Sequence, residues 1–155
     1  VKGWAVPRLD YYGIQRAVQE VLVGDQDLAN VRVTIEEELL FGGETTPWVG
    51  IYLDRRDAPP DRQRISAGQS TVYLVRLALW CWQYSLESLA TAIELRDDLV
   101  GKVEVVLMRN RTLKDTVHMS WLEGGELPSA RVPGQTAWMS GGEIRLVAQA
   151  EAKTV

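Results

Sequence analysis

Thr71-Val72-Tyr73-Leu74-Val75-Arg76-Leu77-Ala78-Leu79-Trp80-Cys81-Trp82 is the stretch on which the reading of this 155-residue chain turns. β-Branched, aromatic and aliphatic residues fill both parities, as in a strand covered on both faces. Trp80 and Trp82 share a parity and are expected on one face of the core. Beyond them the period changes. Leu86, Leu89, Ala90, Ile93, Val100, Val103 and Leu107 recur at helical spacing, with Glu94, Arg96, Asp97, Asp98, Lys102 and Glu104 between them. A long strand therefore feeds a long amphipathic helix, with Ser85 or Ser88 available to cap its start and Asn110 near its end. No catalytic motif lies on this unit. It reads as scaffold, and function has to be sought in what flanks it.

Toward the N-terminus, Asp10 precedes the helical stripe Ile14, Ala17, Val18, Val21 and Leu22, and Gly24 follows where a helix would stop. The spacing predicts a first helix over Asp10 to Val23. Val31, Val33 and Ile35 alternate with polar residues, as in a half-buried strand. Phe41 to Pro47 is rich in turn formers, and Trp48 to Asp54 reads as a further strand. Arg55 to Gln69 is long, polar and contains Pro59-Pro60, so an extended loop is expected over about 55–70. Toward the C-terminus, Thr116 to Leu122 alternates again. Glu123-Gly124-Gly125-Glu126 offers a turn, and Pro128 to Ser140 gives no clear pattern, so a second long loop is expected over about 123–141. Ile144, Leu146, Ala148 and Ala150 alternate with polar residues in a last strand. The order α-β-β-β-α-β-β predicts a single α+β domain, its sheet mostly antiparallel and its two main helices packed on one face.

Composition bounds the function classes. The chain is long enough to bury a core without disulfides or metals, with 46% hydrophobic and 25% charged residues. A net charge of −4 argues against binding nucleic acid by wholesale phosphate neutralisation. The single cysteine, Cys81, lies inside the apolar strand as a small buried hydrophobe and excludes zinc sites built on paired cysteines. No run approaches the roughly 18 apolar residues that span a bilayer. Val1 to Pro7 has no signal-peptide core, so a soluble protein made in the cytoplasm is expected, with no membrane partner.

Enzyme readings fail for want of parts. His118, the one histidine, sits in an alternating strand with Thr116 and Ser120 as parity mates, expected toward solvent or a partner subunit. There is no Gly-x-Ser-x-Gly elbow, and the paired glycines at 42–43 and 141–142 lack the lysine and spacing of a phosphate loop. They read better as hairpin turns. Glu36-Glu37-Glu38 and Asp97-Asp98 have the chemistry for acid–base work or metal ligation, but adjacent carboxylates at strand ends and on helix faces are usually solvated charge. No catalytic residue, cofactor or metal is expected. Trp4 and Trp138 fall in poorly patterned segments, where large aromatics fit either a protein–protein contact or the domain edge. Glu36, Glu37, Glu38 and Glu44 form an acidic cluster, while Arg55, Arg56, Arg62 and Arg64 make the long loop basic. Two independently solvated patches explain this; so does a head-to-tail contact in which the loop of one subunit meets the acidic edge of the next.

The chain resembles the tail-terminator (tail-completion) proteins of tailed bacteriophages. The features that carry the resemblance are the opening helix Tyr11 to Val23, the strand Val31 to Glu36 and the proline-led strand Pro47-Trp48-Val49-Gly50-Ile51-Tyr52-Leu53. A long loop, the strand–helix unit Thr71 to Met108 and the segment Asn110-Arg111-Thr112-Leu113-Lys114-Asp115-Thr116-Val117 follow, then the closing strand Glu143 to Glu151. Lys114-Asp115 stands where that family often has a glycine. The resemblance implies a structural virion protein, not an enzyme: a homo-hexameric ring at the head–tail junction. Such a ring caps the tail tube protein and meets the head connector or neck protein, with DNA at most passing through its lumen. Related head–tail joining or minor tail proteins are the nearest alternative, and a small ligand-binding domain or enzyme using His118 a more distant one.

Overall fold

The computed structural model describes residues 7–38, 46–58, 71–132 and 134–154. Along them run β1 (Pro7–Arg8), α1 (Tyr11–Val23), a 3-10 turn (Gln26–Leu28), β2 (Arg32–Ile35) and β3 (Trp48–Asp57). Then come β4 (Thr71–Ser85), α2 (Leu89–Arg109), β5 (Met119–Glu123), β6 (Ser129–Arg131) and β7 (Trp138–Thr154). The expected α-β-β-β-α-β-β order is present, with the very short β1 and β6 added, and the fold is α+β. β4 and β7 pair antiparallel from Thr71↔Ala152 to Ser85↔Trp138. They sit at the centre of the order β1-β7-β4-β3-β2, and the far edge of β7 is shared by β6, β5 and β1 in turn. Among the described strands, only β2 and β3 pair parallel.

Local chemistry sets the helix limits. The Asp10 carboxylate accepts from the Gly13 N–H at 2.8 Å to start α1, and Ser88 accepts from the Thr91 N–H at 3.1 Å to start α2. Asn110 closes α2 by donating from Nδ2 to the Val106 carbonyl at 2.8 Å. Ile14, Val18 and Leu22 of α1 and Leu99, Val103 and Leu107 of α2 pack in one cluster with Val49, Ile51, Val75, Leu77, Leu79, Cys81, Ile144 and Leu146. Both helices therefore cover the same face of the sheet.

That placement corrects the reading of Trp80 and Trp82. They alternate with Leu79 and Cys81 and point to the face away from the helices, where they are half-buried. Both parities of β4 are apolar, so periodicity cannot say which one meets the helices. The buried stripe of α2 also differs from expectation: it runs Ala92, Arg96, Leu99, Val103 and Val106–Leu107, while Leu86 and Leu89 are exposed. Arg96 lies inward because its head finds partners, Nη1 donating to the Gly141 carbonyl at 3.1 Å and Nε to the Asp97 carboxylate at 2.7 Å. Gly142 makes the close packing possible, since a Cβ there would run into Val100 of α2.

The connections differ as well. β3 continues past a bulge between Leu53 and Arg55 to Asp57, so Arg55 and Arg56 are strand residues rather than loop residues. The remainder of the expected loop, 59–70, lies outside the described residues. The expected 123–141 loop contains β6 and the start of β7. The strand expected from Thr116 begins at Met119, and Ser120 is buried rather than outward, its hydroxyl donating to the Arg111 carbonyl at 2.7 Å. Ahead of it Leu113, Lys114 and Asp115 all take left-handed backbone (φ 47, 57 and 62°), anchored by the buried Leu113 and Val117. Thr116 supports the turn by donating to the Leu113 carbonyl at 2.7 Å.

Candidate functional site

The sheet face away from the helices has an aromatic half and a charged half. In the aromatic half, Trp48 pairs with Trp82, Gly50 with Trp80 and Tyr52 with Ala78 across β3 and β4. Trp80 and Trp82 stack with ring centroids 5.6 Å apart and planes 15° apart. Two glycines seat these rings: a Cβ on Gly50 would strike the Tyr52 ring, and one on Gly141 would strike the Trp82 ring. Trp48 is sunk beside them, its indole N–H donating to the Thr34 hydroxyl at 2.7 Å. Val132, Ala137 and Met139 form a small cluster against Trp82 and Tyr84, closing one end.

Between Tyr52, Trp80 and Trp82 opens a groove of about 420 Å³ whose lip is Glu37 and Glu38. Its floor is aromatic and its rim acidic. The Tyr52 hydroxyl donates to the Glu37 carbonyl at 2.6 Å. Burial, with the Glu36 and Glu37 carboxylates nearby, holds the Tyr52 phenol above its ordinary pKa, so it stays a neutral donor. Glu37 is held by Arg32 at 2.9 Å, and Arg32 in turn lies over the Trp48 ring at 6.0 Å. The Glu38 carboxylate has no partner among the described residues.

The charged half is made of paired ions. Arg76 donates to Asp57 at 2.7 Å and to Glu123 at 2.9 Å, and Arg145 to Glu143 at 2.9 Å. The hydrogen bond from Arg76 holds the Asp57 carboxyl below the usual carboxylate range.

The residues singled out by charge and by aromatic placement have separate fates. Glu36 takes left-handed backbone (φ 54°) where β2 ends, and its carboxylate accepts from the Leu53 N–H at 2.7 Å and the Gln15 amide at 2.8 Å. From an exposed position it ties the end of β2 to β3 and α1. Glu37 and Glu38 reach the groove. Arg55 pairs with Asp57 at 3.4 Å. Arg56 lies over Tyr11 and Tyr73 at 5.7 and 5.2 Å and donates to the Tyr11 hydroxyl. Trp138 opens β7 opposite Ser85 and Arg131, half-buried. Trp4, Arg62 and Arg64 lie outside the described residues. His118 is exposed and faces Glu151 at 3.1 Å, at the far end of the sheet from the groove.

The groove itself escapes sequence reasoning, because Trp80 and Trp82 are expected in the core. The available signal is the pairing of a Trp-x-Trp strand with glycines at 50 and 141, small residues opposite large flat ones.

Chemically the groove suits recognition more than reaction. Among the described residues that line it, no nucleophile stands beside a base. Burial pushes the Cys81 thiol far above its ordinary range, on the opposite face from the groove. Among the described residues no three His, Cys, Asp or Glu side chains converge as metal ligands, and no helix is long and apolar enough to cross a membrane. A scan against protein-family models finds no match for the chain, and a search of curated proteins finds none either.

Proposed function

We propose that this protein is a ring-forming virion assembly protein of the tail-terminator kind, which caps a phage tail tube and joins it to the head connector. The observation that carries the reading is the α+β architecture itself. Two helices are segregated to one face of a sheet built on two very long strands, in the element order of the sequence resemblance. The opposite face carries an aromatic, acid-lipped groove, which suits contact with protein rather than turnover of a substrate. The mechanism is complementarity of surfaces. A terminal ring mates with the last ring of the tube and presents no second copy of the mating surface, so growth stops there. Sheet edges left by the short β2 are covered by neighbouring subunits in such an assembly.

Light scattering at low and moderate salt tests it. A six-fold mass, either alone or on purified tail tubes, is the expected result. A monomer that ignores tubes at every salt concentration sinks the reading. In that event the groove favours the second reading, a small ligand-binding domain, because stacked indoles beside a carboxylate form a site for a flat or cationic ligand.

A further inference from the structure

Arginine over an aromatic ring recurs in this molecule: Arg16 on Tyr12, Arg32 on Trp48, and Arg56 on both Tyr11 and Tyr73. Tyr52, Trp80 and Trp82 carry no such cation among the described residues, yet they line a groove whose lip holds the unpartnered Glu38. The groove has the ring faces and the charge to receive a guanidinium, and the chain fills it with none of its own described arginines.

At the other edge of the sheet the complement is present. Among arginines with described side chains, Arg109 and Arg111 have no hydrogen-bond, ion-pair or ring partner among the described residues. They follow one another off the end of α2, and the Arg111 carbonyl is tied to Ser120 of β5. Around them Met108 is 54% and Trp121 38% exposed, and a depression of about 330 Å³ runs between Met108, Arg111 and Trp121, with Glu104 the one carboxylate in its lining. Exposed Trp, Met and Arg together form the composition enriched at protein interfaces. The strand order β2-β3-β4-β7-β5 puts this arginine-bearing, largely apolar patch and the acidic, aromatic groove on opposite edges of one sheet.

We infer that the α2 end of one copy, led by Arg109 and Arg111, docks into the Tyr52–Trp80–Trp82 groove of a second copy against Glu38. The contact uses two different surfaces, so it is head-to-tail and propagates to a ring when the rotation closes. The inference rests on the self-assembly in the proposed function and assigns its subunit interface. In place of the basic loop, which the sequence offers as one of two alternatives, it uses arginines with no partner among the described residues.

The test is solution mass by light scattering on the full chain at low salt, comparing wild type, Glu38→Arg and the double variant Arg109→Glu/Arg111→Glu. All three positions are exposed, so circular dichroism should be unchanged. Each variant alone should fall to the monomer mass. Mixed one to one they should give a two-fold mass, because the intact groove of the arginine variant accepts the intact α2 end of the Glu38 variant. Under the condition in which wild type assembles, alone or on tail tubes, wild-type mass in either variant, or a mixture that stays monomeric, overturns this pairing while an assembled wild type leaves the assembly reading standing. A wild type that stays monomeric alone and on tail tubes overturns both.

Discussion

Along β4 the two faces of one sheet alternate residue by residue, and they are built by different rules. Val75, Leu77, Leu79 and Cys81 point to the helices and are at most 1% exposed. Leu74, Arg76, Ala78, Trp80 and Trp82 point the other way and all stay partly open. The covered face is mostly aliphatic and packs in one cluster with both helices. The other face tolerates stacked indoles, glycine seats and a row of ion pairs, since it does not have to fill the volume between sheet and helices. Stability resides on the first face, which leaves the second free to carry recognition.

The largest expected effect tests that division on adjacent residues. Leu79→Ala opens a cavity between sheet and helices and should cost about 3 kcal/mol. Trp80→Ala removes a larger side chain but one partly open to water, and should cost less, about 2 kcal/mol, part of it lost stacking on Trp82. Urea unfolding midpoints compare them directly. Equal losses would break the assignment of faces.

Gly141 and Gly142 sharpen the comparison, because neighbouring glycines serve opposite faces. A methyl at Gly142 meets Val100 and presses on Arg96, both on α2, so helix and sheet must separate slightly. Gly142→Ala should cost about 2 kcal/mol. At Gly141 the three atoms nearest the methyl all belong to the Trp82 ring, a side chain of the open face that must shift to admit it. Gly141→Ala should cost under about 1 kcal/mol, part of it offset by the lower chain entropy of alanine in the unfolded state. It should shift tryptophan emission toward the red, whereas Gly142→Ala should leave emission unchanged in the folded state. Thermal unfolding and fluorescence spectra separate the two.

Much of the fold is legible in the sequence because local and tertiary signals agree there. Asp10 and Ser88 sit before strong helical patterns, Asn110 after one, and the change of period from β4 to α2 is unmistakable. The sequence falls short where pairing decides. Both parities of β4 are apolar, so nothing local says that Trp80 and Trp82 face away from the helices. Ser129-Ala130-Arg131 is strand only because β7 runs beside it. The bulge that decides which of Arg55 and Arg56 faces the helices depends on register with β4. Arg96 reads as a surface residue until the Gly141 carbonyl gives its head a partner. Leu113, Lys114 and Asp115 carry no glycine to announce their left-handed turn. Of the site, charge alone points to Glu37 and Glu38, while the aromatic floor behind them needs the fold. Arg109 and Arg111 become conspicuous only when every other described arginine side chain has found a partner.

The smallest effect concerns the charged half of the open face. Asp57 accepts from Arg76 at 2.7 Å, and this bond lowers its pKa in the folded protein. A carboxyl shifted downward stabilises the fold above its unfolded value, near about 4, and that contribution disappears as pH falls through the lower folded value. Asp57→Asn should therefore unfold at a slightly lower temperature than wild type at pH 7. The difference should persist down to about pH 4 and close only on further acidification. Both side chains reach solvent, so high salt should also narrow it. Leu79→Ala, on the covered face, should show a loss nearly independent of pH and salt, because no charge is involved. Melting temperatures of the two variants across pH 2.5 to 7 make the contrast. A difference for Asp57→Asn that stays constant into strong acid would mean that Asp57 acts by packing, as the covered face does, and the distinction between the faces would fail at this point.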